Sequence, residues 1–321
     1  MNTTSAPSAG PGPNHHADHH LLSERLRGYL AACVVVLCWS GFNIVSRFGS
    51  KGVFTPFDLA AMRFGVSGAI ALPLFLSWVP MRDWPRYLAI ACLGGLGYGV
   101  LVYSGFAFAP TAHAGVFVNG GIPFWTITLV TAMAGWKIQR HMVISLALST
   151  CGLVLISFDS LFHAHQAGMW IGDVLFLTAA LLWAIFGLLM RRWQLRPHLA
   201  ILGLASFSCV IYLPAYLLWL PKTIATAPAF DIGLQCVYQG IIAALLAGWM
   251  YSYANLKIGA ASASMMLALV PGVSALGAIP ILGEPLTLTI AGGILLVSCG
   301  ALLGALPAQN AQAILGRLMG R

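Results

Sequence analysis

Charged side chains are scarce in this chain: Asp, Glu, Lys and Arg together make up 7% of its 321 residues. Soluble globular domains carry about 25%. Hydrophobic residues make up 59% of the sequence, so most of the surface must face lipid. This composition excludes soluble enzymes, nucleic-acid binders and secreted scaffolds, and it predicts an all-α polytopic membrane protein.

Motifs for metals, disulfides and nucleotides are also missing from the sequence. The seven cysteines are irregularly spaced within apolar runs, without a CxxC pair or a Cys/His cluster, and no GxxxxGK[ST] motif occurs. We therefore expect no metal site, no cofactor and no disulfide framework. One His-rich tract, at residues 15–20, is interpreted as solvated low-complexity sequence, and transition-metal binding there is the alternative.

Long apolar runs are what the sequence does contain. A hydrocarbon core about 30 Å thick requires roughly 20 apolar residues in a helix. Ten such runs are bounded by Pro, Gly and charged residues, which predicts ten transmembrane helices. The predicted spans are 28–46, 59–79, 87–109, 114–134, 142–158, 170–190, 199–220, 234–255, 262–282 and 287–306.

Basic residues are distributed unevenly between the two sides of these spans. Twelve of the 16 Lys and Arg residues lie on the side of the N-terminus, three lie on the other side, and Arg63 alone lies within a span. Lys and Arg accumulate on the cytoplasmic side of membrane proteins. The sequence therefore predicts a multi-pass protein of the bacterial inner membrane with both termini in the cytoplasm.

Two similar units follow each other along the chain. Trp39 matches Trp183 at an offset of 144 residues, and each lies eight residues before an arginine. The pairs that share an offset of 148 residues are Tyr103 with Tyr251, Pro123 with Pro271, Gly135 with Gly283, and Gly152 with Gly300. Each unit contains five spans, an odd number, so the second unit must enter the membrane from the opposite side. Such inverted repeats are typical of alternating-access carriers.

The predicted organisation therefore has two repeats between two tails. These are a disordered cytoplasmic tail at 1–27, a first five-helix repeat at 28–160, a second, inverted five-helix repeat at 170–306, and a cytoplasmic tail at 307–321. The last span also contains Gly300 and Gly304 in GxxxG spacing, which favours close helix approach. Packing within one chain and a homodimer through this span both satisfy that pattern.

Short motifs occur in a specific order in both halves. In the first half they are WSGFN at 39–43 and AMRF at 61–64. In the second half they are GD at 172–173, RR at 191–192, LGEPLT at 282–287 and a Gly-rich stretch at 292–300. The ordered set resembles the EamA type of the drug/metabolite transporter superfamily over residues 28–306. This resemblance implies a carrier whose path is lined by the first, third, fourth, sixth, eighth and ninth helices. One departure is Trp136, which occupies the position matching Glu284, where the family often has a second Gly-Glu pair.

Polar and aromatic side chains at mid-depth are the candidates for a substrate site, because buried polarity in lipid is costly. Trp39 and Asn43 lie four residues apart and share one helix face. Together they suit a zwitterion with an apolar side chain, since Trp offers a stacking surface and Asn both donates and accepts hydrogen bonds. Helix packing is the alternative for this pair, and an interfacial aromatic belt is the alternative for aromatic residues near helix ends. The predicted substrate-binding residues are Trp39, Asn43, Tyr98, Tyr103, Asn119, Trp183, Trp249, Tyr251 and Met265.

Gating or structural roles are predicted for Arg63, Pro123, Pro271 and Glu284. The two prolines are expected to bend their helices and to free backbone carbonyls toward the cavity. Arg63 is interpreted as one partner of a structural ion pair with Asp58 or Glu284, and binding of a substrate carboxylate is the alternative. Glu284 is interpreted as a hairpin-capping residue rather than a proton-coupling carboxylate. His113, in the short third loop, is interpreted as interfacial.

The function that these features favour is that of a secondary active transporter. It would export small metabolites across the inner membrane by alternating access, with aromatic or other apolar amino acids as the favoured substrates. Its expected partners are the small-molecule substrate and the lipid bilayer. Export of other planar or polar metabolites or drugs is the alternative, and a membrane-embedded lipid enzyme or a non-transporting regulator is the alternative of another class. Channels are disfavoured because the sequence contains no charge ring or filter-like loop.

Overall fold

The computed structural model describes residues 15–50, 53–106, 108–109, 114–133, 135, 139–156, 168–282 and 288–306. These residues contain helices and no strand. In this part of the chain the helices group into ten, which we number in chain order. They are α1 His15–Ser50, α2 Pro56–Trp78, α3 Met81–Gly105, α4 115–133, α5 Arg140–Ile156, α6 Met169–Arg192, α7 Pro197–Trp219, α8 Ala229–Ile258, α9 260–282 and α10 Leu288–Ala305.

The ten helices coincide with the ten predicted spans. In the described residues, six of them contain apolar segments long enough to cross a membrane, in α1, α2, α3, α6, α7 and α8. Shorter apolar helices occupy the positions of the fourth, fifth, ninth and tenth spans. The prediction of an all-α polytopic membrane protein is therefore confirmed.

Helix α1 begins earlier than the sequence predicts. It starts at His15, so residues 15–27 continue the helix instead of belonging to a disordered tail. Glu24 stabilises this extension, because it accepts a hydrogen bond from Arg27 at 3.0 Å and another from Lys257 at the end of α8. The side chains of the His-rich tract and residues 307–321 lie outside the described parts, so those predictions stay predictions.

Irregular turns interrupt several helices. Stretches of π-helix occur at Ala91–Gly97 in α3, Gly115–Gly120 in α4 and Cys236–Leu246 in α8. In α9 the Ala268 amide bonds the Met265 carbonyl, three residues back, at 3.1 Å. Pro123 follows the turn in α4 and Pro271 follows the turn in α9. Because proline has no N–H, each leaves one carbonyl without its helical donor, and the bends predicted at these residues coincide with the irregular turns.

Glycines allow α5 and α10 to approach closely. A Cβ atom added at Gly152 would lie 2.6 Å from the Gly293 carbonyl oxygen, and one added at Gly300 would lie 2.7 Å from the Ser145 carbonyl oxygen. The Ser145 hydroxyl donates to the Gly300 carbonyl at 2.6 Å. The GxxxG face of the last helix is therefore used within the chain, and a homodimer through this span stays a prediction.

Candidate substrate cavity

A cavity lies between α1, α2, α3, α4 and α9. Five of the nine predicted substrate-binding residues lie in its wall, and Arg63 joins them. The lining residues are Trp39, Phe42, Asn43, Arg63, Tyr98, Gly99, Val102, Tyr103, Phe106, Ala114, Val118, Asn119 and Val270.

The cavity lies toward one end of the helix bundle. Its lining comes from the later turns of α1, the first turns of α2, the end of α3 and the start of α4. Since the helices run alternately up and down, these positions all lie opposite the N-terminal end of α1. We term the N-terminal end the basic side, because α6 ends there with Arg191 and Arg192 and α8 ends there after Lys257. The cavity is therefore closer to the opposite end, the far side.

Arg63 supplies the positive charge of the cavity, and no other described lining residue is charged. Its guanidinium carbon lies 5.9 Å from the centre of the Phe42 ring, and the group is close to the Tyr103 hydroxyl. An aromatic face attracts a cation at this range. Among the described residues, Arg63 forms no ion pair with a carboxylate.

The ion pair expected between Arg63 and Asp58 is not formed. Asp58 is buried and accepts hydrogen bonds from the Thr55 amide at 2.8 Å, the Tyr216 hydroxyl at 2.5 Å and the Thr223 hydroxyl at 2.8 Å. Thr55 and Asp58 also form a capping box at the start of α2. The Asp58 alternative of this prediction was wrong because uncharged donors satisfy this carboxylate, which ties α2 to the connection between α7 and α8. The other predicted partner, Glu284, lies outside the described residues, so that alternative stays a prediction.

Asn43 is held in the cavity wall by a neighbouring helix. Its Nδ2 atom donates to the Ser274 hydroxyl of α9 at 3.0 Å, and that hydroxyl donates to the Val270 carbonyl at 2.8 Å. The sequence left cavity lining and helix packing open for Asn43, and the structure shows both. The Ser274 contact fixes the rotamer of Asn43, so its amide oxygen remains for a ligand.

A buried chain of side-chain hydrogen bonds begins at Tyr103. The Tyr103 hydroxyl donates to Gln239 at 3.1 Å, Gln239 donates to Gln235 at 3.1 Å, and Gln235 donates to the Val45 carbonyl at 2.8 Å. Both glutamines are buried. This chain links α3, α8 and the end of α1, so it fixes the orientation of the Tyr103 ring at the cavity.

Four aromatic residues from four helices, Trp39, Tyr98, Trp183 and Tyr251, pack together on the basic side of the cavity; we term them the aromatic layer. The Trp183 ring centre lies 4.7 Å from that of Tyr98, 5.4 Å from that of Trp39 and 5.4 Å from that of Tyr251. Trp39 also donates to the Ala243 carbonyl at 3.1 Å. Trp183 and Tyr251 are almost completely buried. The layer separates the cavity from the basic side.

Two predicted substrate-binding residues lie away from the cavity. Trp249 is 44% exposed on the outer surface of α8. Met265 is fully buried, and its sulfur lies 3.9 Å from the Ser145 hydroxyl of α5. Glu284 and His113 lie outside the described residues, so their predicted roles stay predictions.

Sequence reasoning missed Ser274 and Gln239, which orient Asn43 and Tyr103. Neither residue belongs to a repeat pair or to a motif, and each gains its role from a contact between distant helices. A polar residue within an apolar span was the available signal, because such residues are costly in lipid without a partner.

Metal and disulfide chemistry find no support in the described residues. No group of three or more His, Cys, Asp or Glu side chains is placed there to hold a metal ion. The seven cysteines are unpaired.

Comparison with known proteins identifies the family. The sequence profile of the EamA-like transporter family matches residues 26–158 and 170–305. A Salmonella typhimurium protein named "Probable amino-acid metabolite efflux pump" is 24% identical over 287 residues, which cover 86% of this chain and 93% of that protein. The "Aromatic amino acid exporter YddG" of Ancylobacter novellus is 22% identical over 209 residues, covering 62% of this chain and 70% of that protein.

A solved crystal structure shares the fold. It has a TM-score of 0.68 at 18% sequence identity and covers 93% of this chain and 99% of that one. The family profile matches both halves of the sequence, and six of the described helices are long and apolar enough to cross a membrane. The chain therefore belongs to the EamA-like transporter family, within the drug/metabolite transporter superfamily.

Proposed function

We propose that the protein is a secondary transporter that exports amino acids with aromatic or other apolar side chains. The observation that supports this proposal is the composition of the cavity wall. One guanidinium, two asparagines and several aromatic rings line a single cavity, and a few polar groups among aromatic and apolar side chains are typical of small-molecule sites.

Each part of such a substrate has a complementary group in the cavity. The Arg63 guanidinium suits the carboxylate, because a charge-assisted hydrogen bond is stronger than a neutral one. The amide oxygens of Asn43 and Asn119 suit the ammonium group. Tyr98 and Phe106 suit an apolar or aromatic side chain, since aromatic rings pack edge to face or offset.

The distribution of basic residues supports an orientation of the protein in the membrane. We infer that the basic side is cytoplasmic and that both termini lie there, in a bacterial inner membrane. The cavity would then face outward in this conformation, with the aromatic layer closed toward the cytoplasm. Export requires the layer to open on the basic side while the far side closes, which two inverted repeats permit by rocking about the site. The names of the two relatives, both exporters of amino acids or their metabolites, support the same class of substrate.

Flux measurements test this function directly. Radiolabelled phenylalanine, tryptophan and threonine are loaded into proteoliposomes that contain the wild type or Asn43→Ala, with and without a pH gradient. We expect saturable flux of the aromatic amino acids that falls strongly in Asn43→Ala. Trp249→Phe is the matched control, because Trp249 lies outside the cavity and its replacement should leave flux unchanged. Flux of all three compounds at the level of empty liposomes would contradict the proposal.

A further inference from the structure

Two polar atoms are buried without a partner on the basic side of the aromatic layer. They are Nε1 of Trp183 and Oδ1 of Asn255; neither forms a hydrogen bond of good geometry among the described residues, although the Tyr251 hydroxyl lies beside both residues. Asn255 is fully buried and Trp183 is 3% exposed. Buried polar groups in a membrane bundle are normally paired, because lipid offers no substitute for water. An unpaired donor and an unpaired acceptor in one region therefore require an explanation.

The two atoms flank the same hydroxyl group. The Tyr251 hydroxyl lies close to both Trp183 and Asn255, and a Cβ atom added at Gly187 would lie 2.9 Å from Asn255 Nδ2 and 3.5 Å from the Tyr251 oxygen. Asn255 uses its Nδ2 atom to donate to the Gly187 carbonyl at 3.3 Å. That bond fixes the amide and leaves its oxygen as the unpaired acceptor. A donor, a hydroxyl and an acceptor are thus held together between α6 and α8.

A groove on the basic side shares one residue, Arg191, with the surroundings of this cluster. Arg191 donates to the Asn255 backbone carbonyl at 3.1 Å, and it also lines the groove. Arg192, Gly259 and Ser262 line the same groove. Arg191 therefore connects the cluster to the basic surface.

The internal repeat relates this cluster to the cavity. Trp183 is the repeat partner of Trp39, and Tyr251 is the repeat partner of Tyr103. Trp39 and Tyr103 line the cavity on the far side. In an inverted repeat, equivalent residues of the second half face the opposite side of the membrane. Tyr251 thus corresponds, in the second half, to Tyr103 at the cavity, while Trp39 and Trp183 meet in the aromatic layer between them.

We propose that Trp183 Nε1, the Tyr251 hydroxyl and Asn255 Oδ1 form a second polar subsite, which binds the substrate amino acid when the carrier opens to the basic side. The indole N–H donates to the substrate carboxylate, and the Asn255 oxygen accepts from the ammonium group. Arg191 lies at the outer end of the subsite and attracts the carboxylate from the basic side. In the present conformation these three residues are buried between α6 and α8. This inference rests on the proposed function, since it assigns a second binding position to the same substrate.

Cysteine accessibility provides the first test. Asn255→Cys is prepared in sealed vesicles with the basic side outward and treated with a membrane-impermeant thiol reagent, and peptide mass spectrometry reads modification at this position. We expect modification that saturating phenylalanine slows at least threefold. Ser149→Cys is the matched control, because Ser149 is also buried with an unpaired hydroxyl but lies outside the path, between α5 and α10; it should stay unmodified. The subsite is overturned if Asn255→Cys stays unmodified. It is also overturned if phenylalanine does not change the rate of that modification.

A conservative variant provides the second test without a cysteine. Trp183→Phe keeps an aromatic ring in the layer and removes the N–H donor. We expect the half-saturating phenylalanine concentration to rise about tenfold when substrate is presented on the basic side, and to change less than twofold on the far side. Equal changes on the two sides would overturn the subsite. If the wild type carries none of the amino acids, the proposed function fails instead, while modification of Asn255→Cys still decides whether the cluster opens to the basic side.

Discussion

The indole rings of Trp39 and Trp183 meet edge to face, with their centres 5.4 Å apart. The two residues occupy equivalent positions in the two halves of the chain, 144 residues apart. The closure between the cavity and the basic side is thus a contact between the halves themselves. Any movement that opens the cavity to the basic side must separate these two rings.

Burial distinguishes Trp183 from Trp249, although the sequence suggests the same role for both. Trp183 is 3% exposed and touches three other rings of the layer, whereas Trp249 is 44% exposed. Replacement of a buried Trp by Ala costs about 3–5 kcal/mol of stability. We expect Trp183→Ala to lower the thermal unfolding temperature in detergent and to abolish flux, while Trp249→Ala changes both little. Equal losses in the two variants would contradict this assignment.

Arg63 is predicted to recognise the carboxylate of the substrate. A hydrogen bond to a charged group contributes about 1.5–3 kcal/mol, so Arg63→Gln should raise the half-saturating phenylalanine concentration about 10- to 100-fold. Phenethylamine has the same ring and ammonium group without the carboxylate. We expect it to compete poorly with phenylalanine in the wild type and nearly as well in Arg63→Gln. If Arg63→Gln preserved the wild-type preference for phenylalanine, the carboxylate would have to bind elsewhere.

Ser274 is predicted to act on the substrate through Asn43. Since its hydroxyl anchors the Asn43 amide at 3.0 Å, Ser274→Ala should weaken phenylalanine binding about 2- to 10-fold, as loss of a neutral hydrogen bond of about 0.5–1.5 kcal/mol requires. The same substitution in the Asn43→Ala background should have no further effect, because the anchored group is gone. Equilibrium binding to the four variants of this cycle checks the coupling. Ser77→Ala is the control, since the exposed Ser77 hydroxyl donates to a carbonyl of its own helix. Additive effects of Ser274→Ala and Asn43→Ala would refute the coupling.

Asp58 is predicted to be a stability residue rather than a transport residue. Its carboxylate caps α2 and accepts from Tyr216 and Thr223. Loss of the cap and of these acceptors in Asp58→Ala should cost about 2–4 kcal/mol of unfolding free energy, with the half-saturating phenylalanine concentration of the folded protein unchanged. Denaturant unfolding in micelles measures the first quantity. Asp83→Asn is the control, because its exposed pair with Arg82 contributes little.

The interface of α5 and α10 is predicted to tolerate no side chain at Gly300. An added Cβ would lie 2.7 Å from the Ser145 carbonyl oxygen, whereas one added at Gly292 of the same helix lies 3.4 Å from the flexible end of Leu155. Overpacking of this kind costs about 1–3 kcal/mol. Gly300→Ala should therefore lower the unfolding temperature clearly, and Gly292→Ala should not. Similar unfolding temperatures would show that the two helices move apart easily.

The features that the sequence predicted correctly are those that depend on local properties, namely hydrophobicity and residue spacing. The ten spans follow from segment length and from the cost of charge in lipid, so each coincides with a helix. Trp39 and Asn43 share a helix face by spacing alone, and both line the cavity. The sequence did not predict that Trp183 is buried and Trp249 exposed, because it does not show which face of α8 packs against the other helices.

The features that the sequence did not predict depend on contacts between helices that are distant in the chain. Asp58 lies five residues before Arg63, yet its partners are Tyr216 and Thr223, more than 150 residues away in the chain. Ser274 and Gln239 likewise act on residues of other helices. A single sequence offers no signal for such pairs, since each depends on which helices become neighbours.

The lone charge in the described wall of the cavity has an electrical consequence. An amino acid that binds beside Arg63 is a zwitterion, so it adds no net charge to the carrier. The loaded and the empty protein would then carry the same charge through the membrane, and the membrane voltage would act equally on both reorientation steps. Transport of an amino acid without a co-transported ion would then produce no net current. Any current measured during transport would report a co-transported ion.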